Sequence, residues 1–177
     1  MPAHLKHGGT LVRYHLKERF LTIKDDFVVR DDRGEIVYDV RGTFLHIGDY
    51  LRIYDRNTGQ EVCSIKEKVF TYQKQYMFYQ HGSEVATIRK KGQVEHRNNF
   101  FEIDCASGVV LQVHGNFKEW DFEIIDQYAR LYGHISREFA FLSDHYTVDV
   151  PDGIDATFVL AIAVVLDEMR EDGVKTQ

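Results

Sequence analysis

From Ile154 to Leu166 the chain carries an apolar run, and its last nine residues, Phe158-Val159-Leu160-Ala161-Ile162-Ala163-Val164-Val165-Leu166, include no polar side chain. A helix without a polar face has to be surrounded on every side by protein or by lipid. Thirteen residues at about 1.5 Å each reach only about 20 Å, whereas a bilayer core of about 30 Å takes roughly 20 apolar residues. Protein is therefore the expected surrounding. Everything ahead of the run reads as short strands and turns, and a sheet closed on itself encloses one helix on all sides.

The strands are organised as a repeat. Apolar or aromatic segments run into a turn residue at Asp31, Asp55, Gln80, Asp104, Asp126 and Asp149, at separations of 24, 25, 24, 22 and 23 residues, and a fixed period of this size marks a repeated supersecondary unit. After each of the first five a return strand follows, with apolar residues three apart: Val37 and Val40, Val62 and Ile65, Val85 and Ile88, Val110 and Val113, Tyr132 and Ile135. Each unit reads as a β-hairpin. The loops Asp31-Asp32-Arg33-Gly34, Asp55-Arg56-Asn57-Thr58-Gly59, His81-Gly82-Ser83 and Ala106-Ser107-Gly108 supply turn chemistry, with Gly for positive φ and Asp or Asn bonding its own backbone. A spacing of three puts two residues on opposite faces of a strand unless a bulge intervenes, so the core face is fixed only to within one residue.

Four units continue through a polar step into an aromatic, as in Val40-Arg41-Gly42-Thr43-Phe44 and Val113-His114-Gly115-Asn116-Phe117. The third departs, because Ile88 leads into Arg89-Lys90-Lys91-Gly92-Gln93-Val94. Six units, the last cut short by the helix, plus an opening strand Leu11 to Leu16 give about 12 strands, an even number that can close and so hide its edges. The expected architecture is mainly β: a closed antiparallel barrel of repeated hairpins around a central C-terminal helix over about residues 153–170. Pro151-Asp152 offers its N-cap, Asp155 suits the positive end of its dipole, and Arg170 with Gly173 close it.

A chain of 177 residues, 44% hydrophobic, buries a core without staples, so one domain over 1–177 with a core over about 11–169 is expected. The formal charge of -6 argues against nucleic-acid binding, which requires a basic footprint, and against general attraction to anionic membranes. Cys63 and Cys105 form no C-x-x-C pair and read as reduced, buried thiols. Met1 to Gly9 contains His4, Lys6 and His7 but no apolar signal region, so a cytoplasmic protein without a transmembrane segment is expected.

The repeated hairpins, the tail Val40-Arg41-Gly42-Thr43-Phe44-Leu45-His46-Ile47-Gly48-Asp49 with the following Leu51-Arg52-Ile53-Tyr54-Asp55, and the closing helix from Ala156 to Asp167 together resemble the LURP-one-related proteins, over Leu11 to Met169. The resemblance implies the fold of tubby C-terminal domains and phospholipid scramblases, a 12-stranded barrel around an apolar helix. It implies no reaction. Tubby-type domains bind phosphoinositide headgroups through a basic site, but no motif carries those residues over to this chain.

Chemistry on the barrel has one leading candidate, the basic run Arg89, Lys90 and Lys91 with Arg97 in the aberrant unit, joined by Lys66 and Lys68 one unit earlier. Such side chains hold phosphate oxygens, and Lys66 and Lys68 share a strand face. The competing reading is a solvated, charged strand that discourages edge pairing. Tyr72 and Tyr76, if exposed beside these lysines, would serve as an interfacial anchor. His46, His81, His96, His114, His134 and His145 show no metal-ligand spacing, Asp25-Asp26 and Asp31-Asp32 fit turns, and no P-loop, G-x-G-x-x-G or G-x-S-x-G is present. No catalytic residue, metal or cofactor is therefore expected. Two readings follow. In one the protein is a non-catalytic binding module, peripheral to membrane at most, that recognises an anionic lipid headgroup or an acidic partner through the basic region. In the other it binds or transforms a small molecule at the barrel mouth.

Overall fold

The computed structural model describes residues 9–18, 27–42, 50–68, 75–94, 98–140 and 143–174. Twelve strands precede one helix: β1 (Leu11–Glu18), β2 (Phe27–Asp31), β3 (Ile36–Gly42), β4 (Tyr50–Asp55), β5 (Glu61–Glu67), β6 (Gln75–Gln80), β7 (Ser83–Val94), β8 (Asn98–Cys105), β9 (Val110–Asn116), β10 (Asp121–Asp126), β11 (Leu131–Ala140), β12 (Ser143–Pro151) and α1 (Ala156–Val174). Each strand pairs with its neighbours in sequence, and β1 pairs antiparallel with both β2 and β12, which closes the barrel. The expected closed 12-stranded antiparallel barrel is the observed fold.

The spacing of three has a physical cause in bulges beside the hairpin turns. Arg30 faces Ile36 while Val29 faces Tyr38, which leaves Val37 as the extra residue. The same arithmetic makes Val62, Val85 and Tyr132 the inserted residues of the hairpins β4–β5, β6–β7 and β10–β11. An inserted residue resets the alternation. All four remain partly buried and pack against the core, while Val40, Ile65, Ile88 and Ile135 further on are at most 1% exposed. The hairpin β8–β9 has no shift, and there Leu111 and Val113 alternate inward without interruption. The core face is thereby settled.

Inward side chains from the strands merge with the helix into one apolar cluster. Eight consecutive helical residues, Val159 to Leu166, are 3% exposed or less, and eight residues cover more than two turns, so every face of this stretch is enclosed. Gly133 on β11 allows the approach: a Cβ placed there would lie 2.5 Å from Cγ1 of Val159. At the entrance Phe78 and Phe158 meet edge to face at 5.4 Å. Further along, the Tyr146 hydroxyl donates to Oδ1 of Asp167 at 2.5 Å, which fixes the depth of the helix.

The helix differs from expectation at both ends. Asp155, not Asp152, is its cap, with Oδ1 accepting from the Thr157 amide at 2.9 Å and the Thr157 hydroxyl at 2.7 Å. Asp152 instead donates its amide to Thr10, and Pro151 to Ile154 form the turn that brings the chain off β12 into the barrel. At the far end the helix runs past Arg170 and through Gly173 to Val174.

Candidate functional site

Burial of Cys63 and Ile65 points alternate residues of β5 inward, so Lys66 and Lys68 face outward together. Lys68 donates its amide to Gln75, which stands opposite Arg89 on β7. Lys68 and Arg89 thus occupy one row, two strands and about 10 Å apart. The structure brings the two basic clusters to one end of one wall, with outward Met77 on β6 beside them, opposite Lys66.

Carboxylates on β8 answer part of this charge. Arg89 pairs with Asp104 and lies 3.5 Å from Glu102, whose Oε1 accepts from Lys91 at 2.8 Å. Lys91 is the inserted residue of a bulge between Lys90 and Gly92. Lys90 itself takes the inward register position, opposite buried Phe101. Arg97 and Tyr72 lie outside the described residues. Tyr76 is wholly buried and packs in the core, which removes it as an interfacial anchor; its partner Glu67 and neighbour Ile65 share its inward side.

A further charged group, absent from the sequence reading, lies on the wall of β3 and β4. Arg41 and Arg52 stand directly opposite each other in the β3–β4 register, between the buried neighbours Val40, Leu51 and Ile53, so both point outward. Arg41 lies over the Tyr54 ring at 5.0 Å. Next to it, Asp39 is 2% exposed, and its Oδ2 accepts from Arg56 at 2.9 Å and Arg41 at 3.4 Å. Asp39, Arg41, Tyr54 and Arg56 line a cleft of about 200 Å³ with Asp55 and Gly59. The signal that escapes a linear reading is the register: Arg41 and Arg52 belong to successive hairpins, and only pairing makes them neighbours.

On the wall of β1 and β12 Arg13 grips Asp149 through Nε at 2.7 Å and Nη2 at 3.0 Å. Asp149 also lies 3.9 Å from Nδ1 of His134, whose Nε2 contacts Asp121 at 2.5 Å. The two carboxylates, Asp149 and Asp121, raise the His134 pKa against the opposing effect of burial. Burial pushes Asp149 up, but the bonds from His134 and Arg13 prevail and hold it at about 2. Both thiols are pushed up by burial, Cys63 to about 12 and Cys105 with help from Asp104. Neither environment activates a nucleophile. Among the described residues no group of three His, Cys, Asp or Glu side chains is placed to hold a metal, and no helix is long and apolar enough to cross a membrane.

A closed barrel of twelve antiparallel strands with one apolar helix at its centre defines the tubby-like class of folds. Within that class the chain belongs to the LURP-one-related family, whose model matches residues 12–167. It is 25% identical over 158 residues to an uncharacterized protein, YxjI, of Bacillus subtilis (strain 168), across 89% of this chain and 93% of that one. The X-ray structure of a protein from Arabidopsis thaliana matches with a TM-score of 0.65 at 15% identity, covering 92% of this chain and 93% of that chain. The last comparison speaks to the fold alone.

Proposed function

We propose that this protein is a non-catalytic binding module that recognises an anionic group, a phosphorylated lipid headgroup or an acidic partner surface, through the basic end of its wall at Lys66, Lys68, Arg89 and Lys91, with Lys90 set inward of them. The observation that carries the reading is the filled interior. With Val159 to Leu166 enclosed on all sides, the volume in which a barrel would hold a ligand is taken up by the helix, and recognition moves to the outside. There, outward cations on β5 and β7 meet in adjacent rows. Four outward cations, Lys66, Lys68, Arg89 and Lys91, gather there on a chain of net charge -6, Arg89 and Lys91 in ion pairs with Asp104 and Glu102, and a concentration of cations selects anions in a salt-dependent way.

Vesicle flotation tests the proposal. Binding to vesicles with anionic phosphorylated lipids but not neutral ones, weakened by salt and lost in Lys66→Glu/Lys68→Glu, supports it. Equal behaviour of that variant and the wild type, or no association at low salt with either vesicles or an acidic peptide, refutes it.

A second reading, a small-molecule site at the barrel mouth, is favoured by a cleft of about 250 Å³ where α1 enters, lined by Val85, Cys105, Ala106, Ser107, Phe158, Gln80 and Asp155. Gln80 donates to Asp155 at 2.5 Å there and closes the polar side. A ligand in this cleft would protect Cys105 from thiol labelling, and failure of any fragment mixture to slow that labelling counts against it.

A further inference from the structure

We propose that the cleft where α1 enters the barrel takes a small amine, an ammonium head on an apolar body, with Asp155 and Gln80 receiving the head. The inference rests on the second reading above, a site at the barrel mouth, and adds the class of ligand to it. Val85 on β7, Cys105 at the end of β8, Ala106 in the turn that follows and Phe158 in the first turn of α1 supply the apolar walls of a cleft of about 250 Å³. These walls are fixed from behind. The Ala106 amide donates to the Val85 carbonyl at 2.8 Å, which ties two neighbouring hairpins together at the rim, and Phe158 meets wholly buried Phe78 edge to face at 5.4 Å. The cleft is therefore formed before a ligand arrives, as small-molecule sites are. At about 30 Å³ for each water-sized group it admits roughly eight of them, the size of an amine of about six or seven carbons.

The polar side of the cleft decides the head group. Among the described residues Asp155 is the one carboxylate on the lining, and no Lys, Arg or His stands there with it. Its Oδ1 caps the helix by accepting from the Thr157 amide and hydroxyl, and its Oδ2 accepts from Gln80 at 2.5 Å. A carboxylate has about four lone-pair sites, so one more donor finds room. Gln80 commits its N–H groups to Asp155 and to the Thr157 hydroxyl at 3.3 Å, and what it has left to offer is its carbonyl oxygen. Both groups present acceptors, and an ammonium carries three donors and no acceptor. Charge points the same way. The positive end of α1 offsets about half of the Asp155 charge, yet four acids around the mouth report a negative field. Burial comes first in raising each pKa, and the charges add to it: Asp31 and Asp155 at Tyr14, Tyr14, Asp55 and Asp155 at Tyr38, Asp155 and Glu61 at Cys63, and Asp104 at Cys105. The field of Asp155 thus reaches β1, β3 and β5, and a negative mouth around apolar walls favours a cation with an apolar body.

The test follows iodoacetamide labelling of Cys105, which lines the cleft, and the melting temperature of the full chain with hexylamine, 1-hexanol or hexanoate at neutral pH and constant ionic strength. The three probes share a body of one size and differ in the charge of the head. Hexylamine, protonated under these conditions, is expected to slow labelling saturably and to raise the melting temperature, with 1-hexanol at least about tenfold weaker and hexanoate weaker still. Asp155→Asn removes the charge and keeps a capping side chain. It is expected to hold hexylamine about tenfold more weakly than the wild type does, and 1-hexanol equally well. Equal protection of Cys105 by hexylamine and 1-hexanol overturns the choice of an amine and leaves the mouth site standing, whereas protection by none of the three removes both. Undiminished binding of hexylamine by Asp155→Asn also overturns the proposal, because the head is then received elsewhere. Should that variant fail to fold, the ranking of the three probes on the wild type decides the matter by itself.

Discussion

Gly133 is where the model of an enclosed helix is most sharply testable, because a single methyl group there meets the helix. An added Cβ would sit 2.5 Å from Cγ1 of Val159 and 3.5 Å from the carbonyl oxygen of Asp149. The second distance is ordinary contact, but the first falls about 1 Å short of one. Val159 is β-branched, wholly buried and held on the helix, so it has little rotamer freedom with which to yield. Overpacking of this kind costs about 1–3 kcal/mol. Gly133 carries no positive φ, so alanine is allowed by the backbone and restricts the unfolded chain, which returns about 0.4–1 kcal/mol. Gly133→Ala should therefore destabilise by about 1–2 kcal/mol net, or several degrees in melting temperature for a domain of this size. Val159→Ala alone removes two buried methyl groups and leaves a void, at about 2 kcal/mol. In the double variant the new methyl occupies part of that void, so the combined loss should be smaller than the sum by about 1 kcal/mol or more. Urea denaturation of the four proteins, with m-values compared, measures this coupling. Additivity within about 0.5 kcal/mol would show that Gly133 and Val159 are not in contact and would refute the helix register inside the barrel.

The Arg13–Asp149–His134–Asp121 network sets a pH window. His134 has a folded pKa above 6.5, so its contribution is complete below 6.5 and is lost as pH rises through the folded value. Asp149 titrates at about 2 when folded against 3.8, so its contribution is present above 3.8 and is lost as pH falls from 3.8 towards 2. Thermal melts across pH should show both limbs, and Asp149→Asn should flatten the acid limb and reduce the His134 limb; an unchanged profile would mean that the network does not govern it. Ala163→Asp, at a position 3% exposed, buries an unpaired carboxylate at a cost of several kcal/mol and should abolish soluble expression; a soluble variant with an unchanged melting temperature would contradict enclosure of the helix. Of the two thiols, Cys63 at 1% exposure should resist labelling in the native state while Cys105, partly exposed, reacts; equal rates would show that the barrel opens faster than the reagent attacks.

The fold was legible because its two strongest signals are local. An apolar run with no polar face and a turn residue every 22 to 25 positions each act over a few residues, and together they leave few architectures other than a closed sheet around a helix. The core face was not legible, since Val37, Val62, Val85 and Tyr132 are apolar at positions that alternation would send outward. Only the register shows them to be inserted residues whose bulges carry them back against the core. The helix cap was misplaced for a related reason. Asp152 and Asp155 both have capping chemistry, and the choice between them depends on the turn from Pro151 to Ile154, which is closed by contact with Thr10 at the other end of the chain.

Charge on the wall follows the same division between local and paired information. Arg89, Lys90 and Lys91 are conspicuous as a run, yet in the barrel Arg89 and Lys91 face Glu102 and Asp104, and Lys90 turns inward. Arg41 and Arg52 are inconspicuous, 11 positions apart in two different hairpins, yet pairing places them directly opposite each other. A cluster in sequence loses charge when its cross-strand partners are acidic, and a dispersed pair gains field when its partners are alike. In a barrel built from similar hairpins the repeat brings corresponding positions of successive units together, so the charge that a strand presents depends on its cross-strand partners as well as on its own run. By that criterion neither wall is read from its own run alone: Glu102 and Asp104 answer Arg89 and Lys91, and Asp39 and Glu61 answer Arg41 and Arg52.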